Sequence, residues 1–228
     1  MKPLVIAHRG ASSQELENSL AAFRAAGPAG ADGVELDVHA TADGALIVHH
    51  DPDIDGHPIP DLTREDVRRF TLANGEPVPT LDEALAAVAP RLQVFVEVKS
   101  LNARFDERLF AALERGPNPT GYAIHSFDHR IVRRLGRERP ALSRGVLNTA
   151  YPVRPVAVLE DAGATTLWQE RQLIDHGLAE AVHAAKCRLF AWTVNEARDM
   201  ERLLSLGVDG VCTNFPALGR RVVDGFRR

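Results

Sequence analysis

Eight times along this chain a short β-like run gives way to an amphipathic helical pattern. The runs cover residues 4–8, 33–37, 93–99, 122–126, 144–147, 166–169, 188–194 and 210–213. The helical patterns cover 19–26, 81–89, 106–115, 129–139, 155–162, 174–185, 196–206 and 217–223. Asn18 or Ser19 can cap the first helix, Thr80 with Glu83 reads as a capping box for the second, and Asn195 can cap the seventh. Gly207 suits the position just past the seventh helix. Strands alternating with helices imply a parallel sheet. Eight such units in 228 residues fit one closed (β/α)8 barrel, the TIM barrel, spanning residues 1–228. The alternative is an open doubly wound sheet. It normally carries a glycine-rich phosphate turn after the first strand, and His8-Arg9-Gly10-Ala11 is no such turn.

One run breaks the alternation. Leu46-Ile47-Val48-His49-His50-Asp51 follows Asp43-Gly44, a hairpin turn signal. The expectation is an antiparallel flap beside the end of the second strand. After it, residues 53–61 read as loop, with one short helical pattern around 64–70.

Composition narrows the function classes. The net charge is −4, and the arginines are dispersed among acids, so neither nucleic acid nor stable membrane insertion is expected. No run approaches the 18 or so apolar residues of a membrane span. The first residues lack a signal-peptide core, which points to a cytoplasmic protein. Cys187 and Cys212 have no metal-ligand spacing and are expected as reduced thiols.

The polar residues collect at strand ends, where a barrel of this kind places its active site. His8 and Arg9 end the first strand. Glu35 and Asp37 lie two apart on the second and share a face, while Val34, Leu36 and Val38 take the other. Glu97 and Lys99 repeat the pattern on the third. Three carboxylates converging in a half-buried site repel one another, and a divalent cation removes the conflict. An all-oxygen set of Glu35, Asp37 and Glu97 points to Mg²⁺ or Ca²⁺. The competing reading is a structural salt-bridge cluster with Lys99 and Arg9. His8 and His50 are candidates for an acid/base pair. His49 competes with His50, since alternation lets only one of them face the site. His39, His57, His125, His129, His176 and His183 are assigned to surface or structure, with His125 set apart by its place at a strand end.

These motifs resemble the glycerophosphodiester phosphodiesterase family, a TIM-barrel family. The likeness runs through His8-Arg9-Gly10, Glu17-Asn18-Ser19, residues 30–38, Thr41 with Asp43-Gly44, and His50-Asp51. It continues through residues 79–83, Glu97-Val98-Lys99, Ser126-Phe127, residues 192–195 and residues 207–216. The resemblance implies His8 and His50 as the acid/base pair, and Glu35, Asp37 and Glu97 as metal ligands. It implies Arg9 and Lys99 as phosphate holders and Trp192 as a pocket wall. The chemistry implied is hydrolysis of a glycerophosphodiester to sn-glycerol 3-phosphate and an alcohol, through a cyclic phosphate or by direct attack of water. Two departures stand out. Asn214 replaces an acid, taken as a loop change, and residues 51–79 form a shortened insertion that covers little of a ligand. The rival activities are a lysophospholipase D or sphingomyelinase D-like reaction, disfavoured because no apolar docking loop is evident, and a non-catalytic phosphodiester-binding barrel.

Overall fold

The computed structural model describes residues 2–226. Its first strand, β1 (Leu4–His8), is followed by helix α1 (Leu20–Ala26), and then β2 (Gly33–Ala40) lies parallel beside β1. The flap strand β3 (Leu46–Val48) runs antiparallel to the end of β2, with Val48 opposite Val38. Gly44, at φ +78°, makes the turn between them. A small ribbon, β4 (Asp53–Ile54) with β5 (His57–Pro58), precedes α2 (Arg64–Val67) and α3 (Leu81–Ala87). The regular alternation then resumes: β6 (Gln93–Ser100), α4 (Asp106–Arg115), β7 (Tyr122–Ser126), α5 (His129–Glu138), β8 (Ser143–Asn148) and α6 (Pro155–Ala162). It ends with β9 (Thr166–Glu170), α7 (His176–Ala184), β10 (Arg188–Trp192), α8 (Ala197–Ser205), β11 (Gly210–Thr213) and α9 (Pro216–Gly225).

The strand order β1-β11-β10-β9-β8-β7-β6-β2 closes on itself through the β1–β2 pairing. The fold is therefore a closed parallel (β/α)8 barrel, as the alternation predicts, and the open sheet is excluded. Each strand sorts its residues by parity. Val34, Leu36, Val38, Val94, Val96 and Val98 are buried in the outer layer, against the helices. The barrel interior is filled by Ile6, Phe95, Leu147, Trp168, Phe190 and Cys212. Trp168 meets Phe95 and Phe190 edge-on, with ring centroids 5.2 and 5.0 Å apart, a favoured arrangement for aromatic quadrupoles. Gly145 makes room for it, since a Cβ there would lie 2.7 Å from the indole.

The local signals mostly hold. The Ser19 hydroxyl accepts from Ala22 N, and Thr80 with Glu83 forms both bonds of a capping box. Gly207 sits at φ +92° after α8. Asn195 differs. Its side chain leaves the helix uncapped and accepts from Asn214 N at 2.9 Å and Thr213 Oγ1 at 3.3 Å, fastening the β11 loop. Both cysteines are free thiols. Among the described residues no helix is long and apolar enough to cross a membrane.

Residues 53–61 are not the loop that the sequence suggested. Asp55 and Gly56, at φ +51° and +79°, form a two-residue hairpin turn. Ile59–Asp61 adds a helical turn. Ile54, Ile59, Val67 and Val78 bury themselves with Ile47 of the flap in a satellite core. Asp55-Gly56 is the same signal as Asp43-Gly44, but its strands are two residues each, too short for an alternation to be read. This core makes the flap and the insertion one packed unit. Ile59→Ala should cost about 2–5 kcal/mol locally. Hydrogen exchange should quicken through residues 46–79 and leave the β6–β11 amides unchanged.

Candidate active site

Strand register assembles the site. His8 lies opposite Glu35, Asp37 opposite Glu97, and Glu97 opposite His125. Four neighbouring strand ends thus deliver their polar side chains to one mouth. Glu35, Asp37 and Glu97 are all buried. Arg9 sits just past β1 at φ +57°, a left-handed conformation that its surroundings must hold. Its N–H donates to Glu35 Oε2 at 3.1 Å, while its guanidinium contacts Glu17 at 2.8 Å and Asp37 at 3.1 Å.

The three carboxylates are not equivalent. Asp37 accepts from Asn18 Nδ2 at 2.7 Å and lies between Arg9 and Lys99, whose Nζ is 3.0 Å away. Burial alone would raise its pKa, but Lys99 and Arg9 outweigh burial and hold it at about 2. Glu97 also meets Lys99, at 2.7 Å. Burial and the Asp37 charge nevertheless push it up to about 7. Glu35 is driven well above the usual carboxylate range by burial and then by Asp37 and Glu97. The Lys99 contacts are short but off-line, so Asp37 Oδ1 and Glu97 Oε1 lack an aligned hydrogen-bond donor. Two cations thus hold Asp37 ionised and leave Glu35 and Glu97 in need of positive charge. Burial and Arg9 together lower His8 to about 4, so its ring is neutral at pH 7. Its Nδ1 lies 2.7 Å from Asn214 Oδ1. An amide oxygen only accepts, so Nδ1 carries the hydrogen and Nε2, 4.0 Å from Glu35, presents its lone pair.

The structure brings His8, Arg9, Glu35, Asp37, Glu97 and Lys99 together. His50 lies at the end of the flap, half-buried, with its Nδ1 2.8 Å from Asp51 Oδ1. Among the described residues it makes no hydrogen bond or ion pair with the carboxylate cluster. The flap is nevertheless fastened to the site. His49 N donates to Asp37 O at 3.1 Å, and the buried His39 ring lies 3.3 Å from the His50 carbonyl oxygen. Trp192 ends β10, half-buried, with the Phe127 ring edge-on at 5.4 Å.

Three residues of the site were missed in the sequence. Asn18 is no helix cap but a buried donor to Asp37. Asn214 is more than a loop change, since it orients His8. His125 is 1 % exposed. Its Nε2 is 3.8 Å from Glu35 Oε1, and ligand atoms of Glu35, Glu97 and His125 lie within 4.8 Å of one another. Its position at a strand end, on the parity that faces inward, was the available signal. His57, His129, His176 and His183 make local contacts with Phe70, Leu147, Glu180 and Asp209, consistent with structural roles. A further feature was not visible in the sequence. The exposed large hydrophobics Phe127, Tyr151, Val153 and Phe215 all lie in loops that follow barrel strands, on the rim of the mouth.

The donor set fits a divalent cation, because Glu35 and Glu97 hold ionisation back for want of charge. A consequence can be measured on metal-free protein. The folded pKa of Glu97, about 7, lies above its ordinary 4.5. Its contribution is therefore favourable below about pH 4.5 and is lost as pH rises through 7, by roughly 3 kcal/mol at pH 8. Glu97→Gln should raise the metal-free melting temperature at pH 8 by on the order of 5–10 °C, and by little at pH 4.5. Calorimetry at the two pH values checks this.

The comparisons with known proteins agree with this geometry. The profile of the Glycerophosphoryl diester phosphodiesterase family matches residues 8–218. A glycerophosphodiester phosphodiesterase of Caldanaerobacter subterraneus is 34% identical over 232 residues, covering 95% of this chain and 96% of its own. A crystal structure of a glycerophosphodiester phosphodiesterase from Parabacteroides distasonis superposes with a TM-score of 0.89 at 26% identity, covering 98% of this chain and 97% of its own. An Oleispira antarctica phosphodiesterase, in complex with the product sn-glycerol-3-phosphate, gives a TM-score of 0.89 at 24% identity, over 98% and 97% of the two chains, a likeness of fold. With the family profile covering the barrel from His8 at the end of β1 to Leu218 in α9, the chain belongs to the glycerophosphoryl diester phosphodiesterase family.

Proposed function

We propose that this protein is a cation-dependent hydrolase that converts glycerophosphodiesters to sn-glycerol 3-phosphate and an alcohol. The observation that carries the reading is the neutral His8, aimed by Asn214, beside a buried acidic cluster short of positive charge. Its substrate is a small molecule, and a cytoplasmic location belongs to the same reading. Glu35 and Glu97 would hold the divalent cation, with Asp37 as the expected third carboxylate. When bound, the cation supplies charge for the phosphate oxygens and the developing alkoxide.

The chain's own groups do the rest. Arg9 and Lys99 draw the anionic diester into the mouth and fix its oxygens. Neutral His8 accepts a proton at Nε2 from the nucleophile, either water itself or a glycerol hydroxyl whose cyclic phosphate water then opens to sn-glycerol 3-phosphate. His50, oriented by Asp51, returns a proton to the leaving oxygen from the flap side. Each such proton transfer contributes about 10²–10⁴-fold. Trp192 walls the alcohol side.

Release of sn-glycerol 3-phosphate from glycerophosphocholine, with and without EDTA, tests the reading. Chelation should abolish turnover and a divalent cation should restore it. His8→Ala and His50→Ala should each lower kcat by about 10²–10⁴-fold at unchanged melting temperature, while His49→Ala should cost little. A lethal His49→Ala beside a mild His50→Ala would reverse the assignment of the flap.

The apolar rim favours a second reading, in which the diester carries an acyl chain as a lysophospholipid does. A head-group panel separates the two. On the first reading, choline, ethanolamine and glycerol diesters should fall within about 100-fold in kcat/KM, since an open mouth lacks the buried polar walls that discriminate further. Faster turnover of lysophosphatidylcholine than of glycerophosphocholine, lost in Phe127→Ala, would decide for the second.

A further inference from the structure

The ladder between β2 and β3 ends at the pair Val38–Val48, two residues before His50. Past it, two hydrogen bonds hold the main chain of residues 49–51 among the described residues. One is main chain to main chain, from His49 N to Asp37 O at 3.1 Å. The other comes from a side chain, His39, whose Nε2 lies 3.3 Å from the His50 carbonyl oxygen. A carbonyl oxygen only accepts, so Nε2 carries the ring hydrogen. Nδ1, 3.4 Å from Ser100 Oγ, is then left to accept from that hydroxyl.

Both flanking strands build this contact. β2 and β6 keep regular register through Val38–Val98 and then slip by one residue, so that His39 stands opposite Ser100 rather than Lys99. Irregularities of this kind re-aim side chains beside active sites. Here the slip takes Ser100 out of the helix-facing parity of Val96 and Val98 and sets its hydroxyl against the His39 ring. His39 keeps the parity of Glu35 and Asp37 and is 4 % exposed. The plain alternative is that the ring only fastens the flap. The flap is already fastened by its ladder with β2 and by the packing of Ile47 with Ile54, Ile59 and Val67. What His39 adds is confined to the carbonyl of one residue, and that residue is the proposed acid.

We propose that His39 is a positioning residue for His50, fixing the main chain of the flap histidine against the barrel mouth while Asp51 orients its ring. The inference rests on the assignment of His50 to the acid/base pair and deepens it. The His50 ring hangs on a Cα–Cβ bond whose direction follows from that main chain. A misplacement of about 1 Å in a reacting group can cost about 10²-fold. His39 acts only through His50 and transfers no proton itself.

The test is steady-state hydrolysis of glycerophosphocholine by the full chain at saturating divalent cation. His39→Leu, which keeps the bulk and removes the donor, should lower kcat by about 10–100-fold and leave KM within about threefold. The cation concentration for half activation should not move, since Asp37 keeps its own partners. His39→Gln, which returns an N–H near the position of Nε2, should bring kcat back to within about threefold of wild type. In the His50→Ala background, His39→Leu should cost nothing further. Nitrogen-15 NMR of the unsubstituted protein, independent of how any variant folds, should show His39 as the neutral Nε2–H tautomer. A His39→Leu loss that multiplies with that of His50→Ala, a loss seated in KM or in cation activation, no rescue by Gln, or the opposite tautomer overturns the proposal. An inactive His50→Ala beside a fully active His39→Leu overturns it and spares His50. A fully active His50→Ala removes His50 from the reaction and the proposal with it.

Discussion

Mutual repulsion among Glu35, Asp37 and Glu97 is the constraint around which this structure is arranged. Three carboxylates at the buried mouth of a barrel cannot all ionise against one another without nearby positive charge. Lys99 and Arg9 supply two cations that flank Asp37, while Lys99 also meets Glu97 and Arg9 also meets Glu17. The resulting division, with Asp37 ionised and Glu35 and Glu97 driven upward, leaves an unmet demand for charge at one place. The strained Arg9 backbone belongs to the same arrangement, since it lets one residue donate to Glu35 through its N–H and reach Asp37 through its side chain.

The barrel makes this costly cluster tenable by rigidity. Parallel register places His8, Glu35, Glu97 and His125 on successive strands. Beneath them Trp168, Phe95 and Phe190 fill the interior and prevent the polar layer from relaxing inward. The proposed second histidine has a different support. His50 belongs to a flap tied to β2 and packed on a satellite core, separate from the barrel's own. The proposed site thus joins a fixed half, built on strand ends, to a half carried by a smaller unit whose stability can vary independently.

Much of this was legible from residue order. The parity of Val34, Glu35, Leu36, Asp37 and Val38 told which side chains meet the helices and which meet the mouth, because a strand has a strict period of two. The helix starts at Ser19 and Thr80 were legible because capping is local. Asn195 reads equally well as a cap, yet its side chain is taken by the β11 loop. Residues 53–61 read as loop because strands of two residues carry no pattern, and only contact with Ile47 makes them a packed unit.

The sequence by itself determined the barrel, the flap, and the strand ends that carry His8, Arg9, Glu35, Asp37, Glu97 and Lys99, since all of these follow from periodicity and local turn chemistry. Tertiary structure alone decided how the charges are shared. Asn18, Asn214 and His125 lie far along the chain from Asp37, His8 and Glu35, the residues they face. No spacing rule links them, because their distances come from barrel closure and register. Closure also set Asp37 between Arg9 and Lys99 and left Glu35 and Glu97 to bear the cost of burial beside it.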